Sequence, residues 1–203
     1  MASHRYSGTP ARSQHAPGSL LGPFGGGRDA AAVGPFAAAL PTAEGAVQLA
    51  MEELSVTLHG ARVLILGFGR VGKLTAHRMA ALGARVLVAA RDCGELAWAA
   101  AYGYEGVRLD TLDHELGGCR LIVNTVPAPV LGEERLQWAD PAAFLLDLAS
   151  APGGIDRDAA RRRGLRAVHA PGLPGRTAPE TAAAAIRDAV RNILREREEA
   201  RHG

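Results

Sequence analysis

Short segments that are apolar throughout alternate, along most of this chain, with stretches whose apolar residues recur every three to four positions. ARVLIL at 61–66 and ARVLVAA at 84–90 flank a helical pattern at 71–82. Strands that are apolar throughout are typical of a parallel sheet covered by helices on both faces. Further strands are predicted at 106–109, 120–125, 143–149 and 165–170, and further helices at 94–103, 131–139, 156–164 and 179–198.

Six strands separated by helices predict an α/β fold. We expect a doubly wound (Rossmann-type), mostly parallel six-stranded sheet with strand order 3-2-1-4-5-6. An amphipathic helix at about 43–54 is expected to lead into the first strand, with Thr42 as its N-cap. The face of this helix that would be buried carries Ala46, Val47, Ala50, Met51 and Leu54.

Residues 1–40 show neither a strand period nor a helix period and contain many Gly, Pro and Ser residues. We therefore predict a low-order, disordered N-terminal leader at 1–40 and one dinucleotide-binding domain at 41–203. The leader holds three arginines and one aspartate, so it accounts for the whole formal net charge of +2. Because the remainder is balanced in charge, no nucleic-acid partner is expected.

The composition narrows the cellular setting. No apolar run approaches the roughly 20 residues of a membrane span, and no signal peptide is evident, so a cytoplasmic protein without a membrane partner is expected. The two cysteines, Cys93 and Cys119, lack metal-ligand spacing and fit a reducing compartment. No metal site is predicted.

The chemistry begins with the motif Gly67-x-Gly69-x-x-Gly72, which directly follows an apolar strand and opens a helix. In that context, the first glycine permits a tight turn and the second lets a pyrophosphate approach the backbone. The third glycine lets the helix pack closely on the strand. The pyrophosphate would lie at the helix N-terminus, where free N–H groups and the dipole favour an anion.

The end of the second strand discriminates between cofactors. An acidic residue there would bind the ribose 2′-hydroxyl of NAD, but this chain has Ala89, Ala90 and Arg91. Arg91 can reach a 2′-phosphate, with Arg70 as a second positive charge, so NADP(H) is favoured over NAD(H). Asp92 keeps NAD open, because a shift of one residue would restore an acidic ribose ligand.

Three later strand ends also face the expected crevice. Their turns contain Gly, Pro and small polar residues that suit a nicotinamide and a substrate. The predicted cofactor-binding residues are Gly67, Phe68, Gly69, Arg70, Val71, Gly72, Ala90, Arg91, Asn124, Thr125, Val126 and Pro127, and the predicted substrate-facing residues are Ser150, Gly153, Gly154, Gly172, Pro174 and Gly175.

A catalytic acid or base is not identified by spacing. His169, at the end of the sixth strand, and Asp156, after the glycine pair, are the candidates, and Asp147 is a further residue that could orient a substrate. No pair for covalent catalysis is placed in the chain.

Consecutive blocks of this chain resemble the dipicolinate synthase A-type family, from about residue 41 to about 195. The blocks DLASAPGGID and APGLPGRTAPETA are more specific than the glycine turn. The remaining blocks are PTAEGAVQLA, LILGFGRVG, VAAR and NTVPAPVL.

The resemblance implies an NADP-dependent oxidoreductase of the mother cell of sporulating bacteria. It would form dipicolinate from a dihydrodipicolinate-level intermediate, together with a dipicolinate synthase B subunit. The family carries an additional domain before the PTAEGA helix, where this chain has the predicted leader. Two alternatives therefore stay open: the nucleotide domain of a 2-hydroxyacid-type dehydrogenase, and a nucleotide-binding protein without turnover. The sequence does not determine whether a homo-oligomer forms.

Overall fold

The computed structural model describes residues 30–202, with side chains described for residues 39–201. Most of the predicted leader, residues 1–29, therefore lies outside the described residues. In the described part, helices cover both faces of one sheet. The α-helices are α1 (Ala30–Glu53), α2 (Arg70–Ala81), α3 (Cys93–Ala101), α4 (Asp113–Leu116), α5 (Glu133–Leu136), α6 (Arg157–Arg162), α7 (Leu173–Thr177) and α8 (Pro179–His202).

The sheet has six parallel strands in the order β3-β2-β1-β4-β5-β6, which confirms the predicted fold and strand order. The central strands are almost fully buried, as their continuous apolar sequences predict. The strands are β1 (Arg62–Leu66), β2 (Arg85–Ala90), β3 (Glu105–Arg108), β4 (Leu121–Asn124), β5 (Phe144–Asp147) and β6 (Arg166–His169).

Each face of the sheet has its own hydrophobic core. On one face, α4, α5 and α6 contribute Leu116, Leu136 and Ala159. On the other, α1, α2 and α3 contribute mostly small side chains, including Ala46 and Ala50. Among the described residues no helix is long and apolar enough to cross a membrane.

Helix α1 begins much earlier than the sequence predicts. It starts at Ala30 rather than after Thr42, so the proposed N-cap is wrong and the expected leader boundary falls inside a helix. The helix continues through Pro41, which is buried, although proline removes a backbone donor there. Packing of Ala39 and Ala43 against Leu74 of α2 accounts for this, because tertiary contacts override local propensity.

The buried face of α1 also differs from the prediction. Ala46 and Ala50 are fully buried, but Met51 is 63% exposed. Close approach is set by Gly45, because a Cβ there would meet Thr177 Oγ1 of α7 at 2.5 Å and Leu173 Cδ2 at 3.2 Å. Helix α1 thus packs directly on α7, near the end of the domain.

Strand β1 lies between β2 and β4, so β2 and β3 extend the sheet on one side of it and β4, β5 and β6 extend it on the other. Because all strands are parallel, their carboxyl ends share one edge. In doubly wound sheets ligands bind outside these ends, at the point where the strand order reverses. A ligand site is therefore expected among the loops that follow β1, β2, β4, β5 and β6.

Candidate functional site

The glycine turn between β1 and α2 is held tightly against the turn that follows β4. Gly67 has a φ of +86°, which residues with a side chain rarely adopt. A Cβ there would meet Thr125 Oγ1 and Val126 Cγ2 at 2.8 Å. The Thr125 hydroxyl donates to Leu66 O at 2.8 Å. The two turns thus form one rigid wall.

The other two glycines of the motif have different surroundings. A Cβ at Gly72 would overlap the Gly67 carbonyl oxygen, so only glycine allows this helix–turn packing. A Cβ at Gly69 would meet nothing within 4 Å, so the space beside Gly69 is open to a ligand. No side chain caps the N-terminus of α2 at Gly69. This cradle fits a pyrophosphate.

One cleft of about 450 Å³ joins these turns. All of the predicted cofactor-binding residues line it except Gly72 and Asn124, which lie buried beneath its surface. Phe68 contributes little surface to the cleft, because the residue is 1% exposed and its side chain belongs to the core. The lining residues are Gly67, Phe68, Gly69, Arg70, Val71, Ala89, Ala90, Arg91, Asp92, Glu95, Leu109, Thr125, Val126 and Pro127.

The charged residues beyond β2 have separate roles. Arg91 is exposed at the cleft, as is Arg70 across it. Asp92 Oδ1 accepts a hydrogen bond from Glu95 N at 3.0 Å and so caps α3. Sequence reasoning missed Glu95 and Leu109 as cleft residues. Glu95 could have been found from the Asp92 capping position, which places it in the first turn of α3 beside the strand end.

The loop after β5 is built on a buried carboxylate. Asp147 is 1% exposed, and its oxygens accept hydrogen bonds from the backbone N–H groups of Ala149, Gly154 and Ile155 at 3.1, 2.7 and 3.1 Å. Gly153 and Gly154 are both buried in this loop, and their predicted contact with a substrate stays a prediction.

Gly154 has no room for a side chain. A Cβ there would meet Ala128 O at 2.5 Å, Asn124 Nδ2 at 2.6 Å and Val126 O at 2.8 Å. Its carbonyl oxygen also accepts from Val130 N and Leu131 N. By contrast, Ser150 is exposed and remains a candidate for contact with a substrate.

The two catalytic candidates are not equivalent. Asp156 caps α6 by accepting from Ala159 N at 2.9 Å, which explains its place in the sequence without catalysis. His169 is half-buried at the end of β6, and its Nε2 lies 2.9 Å from Ala149 O. Since a carbonyl oxygen only accepts, Nε2 carries the proton, and in the neutral ring Nδ1 is the basic nitrogen.

The third predicted turn is partly a helix. Gly172 has φ +73° and precedes α7, which contains Pro174 and Gly175. Gly172 and Gly175 are exposed and Pro174 is half-buried, but none of the three lines the cleft. Their predicted contact with a substrate stays a prediction.

The two thiols should differ sharply in reactivity. Cys93 is exposed, whereas Cys119 is buried, and burial raises the pKa of the Cys119 thiol to about 11. At a pH of about 8, a thiol reagent should label Cys93 rapidly and leave Cys119 unmodified, because the thiolate is the reactive form. Mass spectrometry of the labelled native and denatured chains would test this; rapid native labelling of both thiols would contradict the burial.

Comparisons with known proteins agree with this geometry. The model of the family "D-isomer specific 2-hydroxyacid dehydrogenase, NAD binding domain" matches residues 37–157. The A component of dipicolinate synthase from Bacillus subtilis (strain 168) is 38% identical over 157 residues, which are 77% of this chain and 53% of that protein. The resemblance inferred from the sequence blocks is thereby confirmed.

Two crystal structures show the same relationship in three dimensions. The A component of dipicolinate synthase from Bacillus halodurans superposes with a TM-score of 0.77 at 40% identity, covering 82% of this chain and 56% of that one. Its counterpart from Bacillus subtilis gives a TM-score of 0.79 at 36% identity, covering 85% and 57%. The chain thus spans about half the length of these relatives.

The region matched by the family model contains the glycine turn, the Asp147 loop and all of the residues that line the cleft. A dehydrogenase-type nucleotide-binding domain places the chain among oxidoreductases. The chain belongs to the family of D-isomer specific 2-hydroxyacid dehydrogenase NAD-binding domains.

Proposed function

We propose that this chain is the nucleotide-binding part of an NADP-dependent oxidoreductase that oxidises a dihydrodipicolinate-level intermediate to dipicolinate. The observation that carries the proposal is the 38% identity to the A component of a dipicolinate synthase, in a region that includes the cleft. By the same relationship, a dipicolinate synthase B subunit is the proposed partner and the cytoplasm of a sporulating mother cell the proposed location.

The choice of NADP rests on charges around the cleft. Arg91 and Arg70 are exposed there, and the residues that end β2 are alanines. Asp92 uses one carboxylate oxygen to cap α3, so it is held for a structural purpose. Two guanidinium groups near one 2′-phosphate give charge-assisted hydrogen bonds that a ribose hydroxyl cannot match. Glu95 also lines the cleft, and its negative charge opposes the binding of a phosphate there.

The proposed reaction moves two electrons and a proton as hydride from a dihydropyridine carbon, and a second proton leaves as the ring becomes aromatic. Bound NADP supplies the hydride acceptor. The protein's task is alignment of substrate and nucleotide across the strand ends. Ser150, which is exposed, is the proposed contact with the substrate, and Nδ1 of His169 is the proposed acceptor of the second proton.

Arg91→Ala should separate the two cofactors. Loss of charge-assisted hydrogen bonds to the 2′-phosphate should cost about 2 kcal/mol, or roughly thirtyfold in NADPH affinity. The affinity for NADH should change by less than about twofold, because Arg91 has no 2′-phosphate to bind in that case. Calorimetric titration measures both, with Arg161→Ala, an exposed arginine on α6, as the matched control. An equal loss for both nucleotides would rule out the assignment of Arg91.

Turnover tests the reaction itself. The full chain, alone and mixed with the B subunit, is supplied with NADP and freshly generated dihydrodipicolinate, and formation of NADPH and dipicolinate is followed. A parallel assay supplies NADP or NAD with a 2-hydroxyacid. Formation of both supports the proposal. NADPH binding without turnover in either mixture would favour a nucleotide-binding protein without catalysis, and turnover of a 2-hydroxyacid instead would favour the other dehydrogenase interpretation.

A further inference from the structure

Three polar residues lie in one register row across the carboxyl edge of the sheet. Asn124 is paired with Asp147, and Asp147 with His169, on neighbouring strands β4, β5 and β6. The apolar Leu66 precedes them in the same row on β1. Buried polar groups inside a sheet are costly unless they are hydrogen-bonded, so this row needs a physical explanation.

Asp147 has no capacity left for a substrate. Its Oδ1 accepts from Asn124 Nδ2 at 2.8 Å and from Ala149 N, and its Oδ2 accepts from Gly154 N and Ile155 N. A carboxylate has about four acceptor sites, and all are filled by these donors. Asp147 is therefore neither a ligand of the substrate nor a base.

Asn124 links Asp147 to the turn that follows β4. Its side chain is fully buried; Nδ2 also donates to Val126 O at 3.1 Å, and Oδ1 accepts from Val126 N at 3.0 Å. Both backbone polar groups of Val126 are thus held by one amide. Because the Asp147 carboxylate accepts only, it forces the NH₂ group of Asn124 towards itself and fixes the orientation of that amide.

Val126 in turn forms part of the cleft wall. It lines the cleft together with Thr125 and Pro127, and its Cγ2 lies against Gly67 of the glycine turn. A continuous path of contacts therefore runs from the buried carboxylate of Asp147, through Asn124, to the side of the cleft that follows β4. Arg91, at the end of β2, lies on the other side of β1 from this path.

We propose that Asp147 is a positioning residue for the nicotinamide half of the bound dinucleotide, acting through Asn124. It locks the 125–127 turn and the 148–155 loop into one arrangement, so that the nucleotide-facing and substrate-facing walls keep a fixed separation. The inference rests on the proposed function, because it takes the cleft to be a dinucleotide site.

Asp147→Asn is the smallest change that tests this role. The substitution keeps the shape but replaces one acceptor oxygen by a donor, which then opposes the N–H donors already aimed at that position. The Asn124 amide or the 148–155 loop must move in response. The adenine half of the site, around Arg91, has no such dependence.

The measurement compares two ligands on the full chain: NADPH, and the adenosine bisphosphate fragment that represents its adenine half. Asp147→Asn should weaken NADPH by about tenfold or more and the fragment by less than about twofold. Asn124→Ala should show the same selective loss, and the double variant should be no weaker than the worse single variant, because the two residues act in series.

Two matched controls separate this effect from general destabilisation. Asp158→Asn makes the same chemical change at an exposed site on α6, and Leu136→Ala creates a cavity in the core without touching the cleft lining. Both should leave the ratio of the two affinities unchanged. If Asp147→Asn does not fold, Asn124→Ala decides the question by the same ratio.

Each outcome has one meaning. Selective loss of NADPH affinity supports the positioning role. Unchanged binding of both ligands, or an equal loss of both in a folded variant, overturns it while the proposed function stands. Failure of the unsubstituted chain to bind NADPH or the fragment overturns the proposed function, and the positioning role with it.

Discussion

Gly72→Ala should lower the free energy of unfolding by about 3 kcal/mol and the Tm by roughly 10 °C. The added Cβ would overlap the Gly67 carbonyl oxygen, and Gly67 C lies only 3.1 Å from it. Both atoms are backbone in a turn whose φ of +86° leaves no easy alternative, so α2 must move away from β1. Thermal unfolding followed by circular dichroism measures the change.

Gly69→Ala provides the contrast within the same motif. The new methyl group meets nothing within 4 Å, so the Tm should stay within about 2 °C of that of the parent chain. NADPH affinity should nevertheless fall by roughly tenfold or more, because the methyl group occupies the space that the pyrophosphate needs. A stable Gly72→Ala variant, or undisturbed NADPH binding by Gly69→Ala, would refute these separate roles.

Gly154→Ala is the second substitution with a large expected effect. The added methyl group would lie 2.5 Å from Ala128 O, 2.6 Å from Asn124 Nδ2 and 2.8 Å from Val126 O. None of these atoms can retreat cheaply, because each belongs to backbone or to the amide that Asp147 holds. We expect a loss of about 3 kcal/mol in the free energy of unfolding, measured by urea denaturation.

The matched control for this variant is Gly175→Ala. Gly175 lies inside α7, and a Cβ there meets nothing within 4 Å. Alanine in a helix is more stable than glycine by up to about 1 kcal/mol, so this variant should be as stable as the parent chain or slightly more stable. Equal destabilisation by both substitutions would show that the crowding around Gly154 is not the cause.

The central strands β1, β4 and β5 could be predicted because each is a short, largely apolar run whose burial is encoded locally. The start of α1 could not, since Pro35 and Pro41 are helix breakers by propensity, whereas the described part of the helix is held by contacts with distant residues such as Leu74 of α2. Helix α7 was missed for a similar reason: its five residues include a proline and a glycine, which indicate a turn on local grounds.

The candidate site shows the same division between local and distant information. The glycine turn and Arg91 could be identified because their chemistry lies within one strand–helix–strand unit. The filled carboxylate of Asp147 could not, because its partner Asn124 is 23 residues away and its other donors are backbone groups. The burial of Gly153 and Gly154 inside the loop after β5 could likewise not be predicted from the sequence.

The close contact between Gly45 of α1 and the residues Leu173 and Thr177 of α7 has a consequence for how the chain assembles during synthesis. Helix α1 leaves the ribosome more than a hundred residues before α7 and α8, two of the helices against which it finally lies. Contacts of such long sequence separation form late, because the entropy cost of loop closure must be offset before the contacts stabilise the chain. The surface of α1 around Gly45 therefore stays uncovered until α7 has been synthesised, and a chaperone has access to it during that interval.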